Sequence, residues 1–265
     1  MNNLTELNRL LNKILETKIQ DDNDFFLANG IGRKLMFHEK SINILLENTI
    51  DISSCITLTR TVLETFAVFY LLFINGSVDE KRIRLKLWKI DALKTRQNFD
   101  VSYDDLLPDE KIQIEKQIED EKKQIEGLKL EVCNNDYYKV FPDDYNKKLI
   151  KNAVWKFDID KIEGYQKNFK IDMGIKSMVE RSCIREIYLK DIYNFTSMHA
   201  HTNYISILQS EQLERESFHL TKRHLEDLNS ILITYFISNY TELYNLRIEN
   251  YCDGNHIYQT FKRRI

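Results

Sequence analysis

The sequence predicts an all-α protein, and three observations lead to that fold class. Only 7 Gly and 2 Pro occur in 265 residues, too few for the tight turns that an all-β protein needs. Hydrophobic residues make up 43% and charged residues 30%, which is typical of a compact fold with a solvated surface. Apolar residues recur three and four positions apart along much of the chain. We therefore expect an up-and-down helical bundle with a projecting charged helical arm.

The first helices follow from stripes of apolar residues. An amphipathic stripe predicts a helix at the N-terminus, and its members are Leu4, Leu7, Leu11 and Ile14. A second helix runs through Met36 and Ile42 and ends near Asn48, and the glycines of the segment 29–32 are expected to bend or start it.

The next helix is expected at the centre of the bundle. Asp51 is placed to cap its N-terminus, and the residues from Ile52 to Phe73 are apolar nearly all round. Asn75 and Gly76 should end it. Ser77 and Glu80 then have the spacing of a capping box, which predicts the start of another helix.

A charged segment follows, and it interrupts the bundle pattern. Pro108 opens a helical arm or hairpin over 109–131, where acids and bases interleave. Its charges suit either a solvated face or a partner-binding arm. Residues 133–172 are rich in aromatic, Asn and Asp residues and predict a long connection with short helices. We therefore expect one domain over 1–265, with 105–172 as an inserted arm and connection.

Two long helices are expected to complete the bundle, from Ile175 to about Ile207 and from about Leu220 to Tyr251. The chain shows no internal repeat.

Charge and cysteine usage favour a cytoplasmic protein that works away from membranes. The formal net charge of -3 argues against general nucleic-acid or membrane-surface binding. The four cysteines form no close pair and no Cys-x-x-Cys motif, which indicates reduced thiols. The N-terminus lacks the features of a signal peptide. The most apolar stretch, Val62 to Ile74, has only 13 residues and contains Glu64, so we expect no membrane-spanning segment.

Two groups of polar residues stand out inside apolar helices. Arg60 and Glu64 are four residues apart in the central helix and share one face. Tyr193, Ser197 and His201 follow one another at four-residue spacing and share a face of a later helix. An unpaired charge in a core costs several kcal/mol, so each group needs polar partners.

If these five residues converge, they supply an imidazole, two hydroxyls and an ion pair, which suits acid–base or phosphodiester chemistry. The alternative is a hydrogen-bonded network that fixes the helix register. His199 points away from His201 on a helix, so a metal site is not expected, and no motif for a nucleotide or other cofactor is present.

The pattern Arg-x-x-x-Glu at Arg60 and Glu64, followed by Tyr-x-x-x-Ser-x-x-x-His from Tyr193 to His201, resembles a bacterial all-helical family, the domain of unknown function 5677. The likeness covers roughly 51–207 and implies a helical bundle without assigning an activity. The chain is more distantly similar to the HEPN superfamily of RNases and helical toxin or defence components, whose mark is Arg-x(4–6)-His. It departs from that mark, because Asn194 stands where an Arg is required before His199. Arg33 and His38 satisfy the spacing, but chance predicts about one such match.

Two hypotheses of different classes follow. The first is a non-enzymatic module that binds a protein partner or forms a homo-oligomer, with the polar cluster holding the core and the charged arm docking elsewhere. The resemblance implies a bacterial defence or toxin–antitoxin setting for it. The second is a HEPN-like, metal-independent ribonuclease acting on RNA. In it His201 is the general acid or base, Arg60, paired with Glu64, stabilises phosphate charge, and Tyr193 and Ser197 orient the substrate.

Overall fold

The structure is a computed structural model, and it describes residues 5, 7, 8, 11, 12, 23–48, 51–97, 107–139, 141, 143–157, 172–200 and 218–243. In chain order the helices are α1 (Asn23–Asn48), α2 (Ile52–Phe69), α3 (Val78–Gln97), α4 (Pro108–Cys133), α5 (Asp136–Lys139), α6 (Asp143–Asn152), α7 (Ile175–Glu180), α8 (Glu186–Ala200) and α9 (Phe218–Leu243). Within these residues an isolated bridge between Phe157 and Asp172 is the only β pairing. The all-α prediction is confirmed.

Contacts divide the chain into two compact units. The first consists of Met1–Ile74 and Ile175–Ile265, and the second is Asn75–Gly174. The second unit therefore begins thirty residues before the insertion that the sequence predicted at 105–172, and it includes α3. The organisation as one domain over 1–265 stays a prediction.

Helix α2 lies at the centre of the first unit, where it packs against α1, α7, α8 and α9. Asp51 caps it as predicted, because its carboxylate accepts a 2.9 Å hydrogen bond from the Ser54 amide. The helix continues as a π-helical turn over Tyr70–Ile74, after which Gly76 adopts a φ of 95° that suits glycine. The core around it is strongly aromatic, with Phe69 4.7 Å from Phe236 between ring centroids.

Helix α1 begins at Asn23 and runs without interruption through Gly30 and Gly32, so the helix start predicted there is wrong, while the predicted bend stays a prediction. Gly32 lies on the buried face of α1, and a Cβ on it would come within 2.9 Å of the Phe236 ring. Close packing against α9, rather than a turn, explains this glycine. The N-terminal stripe is described at Leu7 and Leu11, which are helical and buried, and its other members lie outside the described residues.

The prediction of one long helix from Ile175 to Ile207 is also wrong, because residues 181–185 separate α7 from α8. The Ser182 hydroxyl and amide both donate to the Val179 carbonyl, at 2.6 Å and 3.0 Å. Such local bonds compete with the helical ladder, although the apolar residues continue across the break. Helix α8 is described to Ala200 and α9 to Leu243, and their predicted extensions lie beyond the described residues.

The second unit is built on the pairing of α3 with α4, and the short helices α5 and α6 also pack on α3. Ser77 and Glu80 form the predicted capping box at the start of α3. The charged segment 109–131 is a single helix and not a hairpin. It buries Glu121, Ile125 and Val132. Removing it would therefore uncover α3.

The helix from Ile52 to Ile74 has 23 residues, more than the 13-residue stretch considered in the sequence. Its length and composition would allow it to cross a membrane. Other residues bury 56% of its most apolar window, as in the core helix of a soluble protein. The expectation that no segment enters a membrane stays a prediction.

Candidate functional site

Arg60 and Glu64 form the ion pair that the sequence predicted on α2. The Nε of Arg60 lies 2.8 Å from Oε1 of Glu64, one helical turn further on. The Arg60 side chain is 16% exposed and that of Glu64 33%, so the pair lies at the edge of the core. The Arg60 side chain is thus mostly shielded from solvent.

Ser197 and Tyr193 bring α8 onto the same guanidinium. Nη1 of Arg60 donates a 2.9 Å hydrogen bond to the Oγ of Ser197. Its Cζ lies 5.4 Å from the ring centroid of Tyr193, within the range of a cation–π interaction. The four-residue spacing on α8 places both side chains on the face that packs against α2. Four of the five predicted residues therefore converge, and we name Arg60, Glu64, Tyr193 and Ser197 the Arg60 cluster.

His201, the fifth predicted residue, lies outside the described residues, as does the side chain of His199. The proposed acid or base of the ribonuclease hypothesis therefore has no described position. The Arg60 cluster by itself holds no imidazole, so its described part offers charge compensation and hydrogen bonding rather than proton transfer.

The charge balance of the Arg60 cluster limits the ligands that it can take. The Glu64 carboxylate accepts a hydrogen bond from Nε of Arg60 and compensates its positive charge. The Ser197 hydroxyl accepts a second hydrogen bond from Nη1 of Arg60. An incoming phosphate would meet the Glu64 carboxylate beside the guanidinium, which weakens its attraction. Arginines that bind phosphate usually present two parallel donors to it. Here two donors of Arg60 already bond to protein atoms.

A cleft of about 490 Å³ adjoins the Arg60 cluster at Tyr193 within the first unit. Among the residues that the structure describes, its lining contains the carboxylates of Glu180 and Glu186 and one ammonium group, that of Lys176. This part of the lining thus carries more acidic than basic groups. A polyanion such as RNA gains little from such a surface.

The described cysteines and carboxylates do not form an evident reactive centre. No group of three or more His, Cys, Asp or Glu side chains that could hold a metal ion occurs in the described part of the chain. Cys55, Cys133 and Cys183 are free thiols. Burial, with a contribution from Asp51, raises the pKa of the Cys55 thiol to about 11, which disfavours the nucleophilic thiolate.

Sequence reasoning missed the buried charges of Glu39 and Arg84. Glu39 lies on the inward face of α1 with 1% exposure, and burial raises the pKa of its carboxyl from 4.5 to about 8. Arg84 is fully buried in the second unit, where it pairs with Glu80 and its Nη2 donates to the Phe157 carbonyl at 3.2 Å. The inward periodicity of α1 and the four-residue spacing of Glu80 and Arg84 were the available signals.

A buried polar link also joins α2 and α9. The side-chain amide of Asn229 donates to the Thr59 hydroxyl at 3.0 Å and to the Leu225 carbonyl at 2.9 Å. This link fixes the register of the two helices in the same way that Arg60 fixes α2 against α8.

These features define an all-helical bundle protein whose central helix is tied to its neighbours by buried polar contacts. The family model described as Family of unknown function (DUF5677) matches residues 27–218, which include the whole Arg60 cluster. The chain belongs to the DUF5677 family. No curated protein and no solved structure matches the chain.

Proposed function

We propose that this chain is a non-enzymatic helical module that binds a protein partner through one face of α1. We name this face the outward face of α1, and its members are Phe26, Gly30, Arg33, Phe37, Lys40 and Ile44. The Arg60 cluster, in this proposal, stabilises the bundle.

The exposure of large apolar side chains on this face is the observation that carries the proposal. Phe26 is 70% exposed, Phe37 60% and Ile44 50%. Their spacings of eleven and seven residues correspond to about three and two helical turns, so they align along the helix. Burying each would contribute about 1.5–3 kcal/mol, and aligned aromatic anchors of this kind often mark binding surfaces.

The remainder of α1 explains why this face is available. Most of its buried residues recur three and four apart and belong to the opposite face: Ala28, Gly32, Leu35, Glu39, Ile42 and Leu46. That inward face packs against α2 and α9. Basic residues flank the apolar anchors on the outward side, which favours a partner surface that is acidic as well as apolar.

Photo-crosslinking tests the proposal while the partner is still unidentified. Phe37 is replaced by benzoyl-phenylalanine in the full chain, and irradiation in cells should give one discrete covalent adduct. The matched control carries the same replacement at Val78, which is also 60% exposed but lies on α3. The proposal fails if Phe37 gives no adduct, or if both positions give the same products.

The alternative is the HEPN-like, metal-independent ribonuclease. The observation in its favour is that one guanidinium contacts both Tyr193 and Ser197 beside a cleft. RNA cleavage that persists in EDTA and is lost in His201→Ala, with the helical content retained, would support it. Equal cleavage by that variant would remove it.

The cellular setting is proposed on separate grounds. The free thiols at Cys55, Cys133 and Cys183 suit the reducing cytoplasm. A role in bacterial defence or a toxin–antitoxin system is supported by the resemblance to the HEPN superfamily.

A further inference from the structure

Helix α4 carries an exposed stripe that matches the outward face of α1. Ile112 and Leu130 are each 63% exposed, and the aligned positions between them are also exposed. We name this stripe the outward face of α4, and its members are Ile112, Lys116, Glu119, Lys123, Glu126 and Leu130. The buried residues Glu121, Ile125 and Val132 belong to the opposite side of the helix, which packs within the second unit.

The two outward faces have the same spacing. Phe26, Phe37 and Ile44 on α1 correspond to Ile112, Lys123 and Leu130 on α4 with a constant offset of 86 positions. Both stripes advance by alternating steps of four and three residues, the spacing of positions that share one face of a helix. Two such helices can therefore pack in parallel, with corresponding residues at the same level.

The charges agree with this register. At the constant offset Arg33 meets Glu119, and Lys40 meets Glu126. Phe37 meets Lys123, a pair suited to a cation–π contact. The apolar residues at the two ends meet each other. At the levels between them, no pair brings like charges together.

Other registers are less favourable. An antiparallel pairing that also joins the apolar ends would put Arg33 opposite Lys123 and Lys40 opposite Lys116. A parallel pairing of α1 with another α1 would put Lys40 opposite Lys40. Like charges at one level oppose association in both of these cases. An antiparallel pairing of two α1 helices avoids like charges but forms no ion pair, and an antiparallel pairing of two α4 helices forms ion pairs but leaves the apolar residues of α1 exposed. The parallel pairing of α1 with α4 covers both faces and joins Arg33 and Lys40 to carboxylates, so it is the pairing that we favour.

We propose that the partner of the outward face of α1 is the outward face of α4 in a second copy of this chain. The proposal rests on the function proposed above and names the partner. Glu126 now pairs with Lys129 at 2.6 Å and Glu119 with Lys123 at 3.5 Å. Such exposed pairs within one helix are weak, so they can exchange for pairs across the interface.

Charge reversal in two chains tests the proposal. Lys40→Glu and Glu126→Lys are prepared separately, and sedimentation velocity measures the mass of each alone and of an equimolar mixture. Each variant alone should weaken self-association about tenfold or more, because every interface then contains a like-charge level. In the mixture the reversed α1 meets the reversed α4, so association should return.

Two control variants change the net charge by the same amounts as the two test variants. Arg223→Glu and Asp227→Lys reverse exposed charges on α9, which belongs to neither face, and should leave the dissociation constant within about twofold. Circular dichroism checks that all variants keep their helical content. Rescue by mixing depends on two different chains, so it separates association from an effect on the fold of either variant.

A wild-type chain that sediments as a monomer at every concentration would overturn this proposal, and so would a mixture that fails to restore association. The proposed function is decided by a different result. A crosslink from position 37 to a different protein, with a monomeric chain, would preserve the binding module and refute the second copy as its partner. A monomeric chain without any crosslink would refute both.

Discussion

Arg60 and Ser197 lie 137 positions apart in the chain, yet Nη1 of Arg60 donates a 2.9 Å hydrogen bond to the Oγ of Ser197. The bond ties the central helix α2 to α8, and the same guanidinium also holds Glu64. A side chain that bonds within its own helix and across to another restricts both the register and the rotation of the two helices.

We expect Arg60 and Ser197 to be energetically coupled. Arg60→Ala should lower the free energy of unfolding by about 1–3 kcal/mol, because it removes a hydrogen-bonded, mostly buried cation. Ser197→Ala should cost about 1 kcal/mol, and the double variant should cost less than the two together by about 1 kcal/mol. Urea unfolding of the four proteins measures this cycle. Thr57→Ala on the exposed side of α2 is the control, with a change within about 0.5 kcal/mol. Additive losses would mean that the bond contributes nothing.

Glu39 should make stability fall as the pH rises. Its carboxyl has a pKa of about 8 in the folded protein against an ordinary value of 4.5. Between these values the unfolded chain releases the proton while the folded chain keeps it, so unfolding becomes easier by about 1.4 kcal/mol per pH unit. The stability contributed by the protonated Glu39 carboxyl is fully present below pH 4.5 and is lost as the pH rises to about 8. This pH-dependent fall in stability should be absent in Glu39→Gln.

The test compares unfolding free energies of the wild type and Glu39→Gln from pH 4.5 to 8. Their difference should grow in favour of the variant, since the other titrating groups are common to both. A pH-independent difference would show that Glu39 titrates normally.

Arg84 should be far more important to stability than its neighbour Arg82. Arg84 is fully buried with Glu80, whereas the Arg82–Asp79 pair is 64% and 51% exposed. Arg84→Met leaves the buried Glu80 without its cation and should cost about 3–5 kcal/mol. Arg82→Met on the same helix should cost less than about 1 kcal/mol. Equal losses in thermal or urea unfolding would contradict this contrast.

The two glycines of α1 should respond in opposite directions to alanine. Gly32→Ala places a Cβ 2.9 Å from Phe236 and 3.0 Å from Leu11, so it should destabilise the fold by about 1–3 kcal/mol. Nothing lies within 4 Å of a Cβ at Gly30. Gly30→Ala should therefore stabilise the helix by about 0.5–1 kcal/mol. Unfolding at dilute protein concentration separates the two, and destabilisation by both would point to a backbone role for each.

Periodicity was sufficient to predict most of the fold. The continuous apolar surface of α2 indicated its central position, and the chemistry of Asp51, Ser77 and Gly76 gave the helix ends. The Arg60 cluster could be predicted for the same reason, because charged residues inside an apolar helix require partners on a facing helix. The four-residue spacing of Tyr193 and Ser197 marked them as candidates for those partners, and the structure shows the contacts with Arg60.

Tertiary contacts decided the features that the sequence did not reveal. Gly32 reads as a helix breaker, but the Phe236 ring fills the space beside it. The break at Ser182 depends on a hydroxyl that bonds to its own backbone, and the apolar pattern does not register such a bond. Glu39 was overlooked because a carboxylate is normally exposed, whereas this one lies on the inward face of α1.

We infer that the Arg60 cluster stabilises the bundle and is not catalytic. The most direct test measures cleavage of labelled RNA in EDTA by the wild type and Ser197→Ala, with the unfolding free energy determined on the same samples. We expect no cleavage above buffer by either protein, together with a loss of about 1 kcal/mol of stability in the variant. Cleavage by the wild type that disappears in a fully folded Ser197→Ala would contradict the claim and establish the ribonuclease.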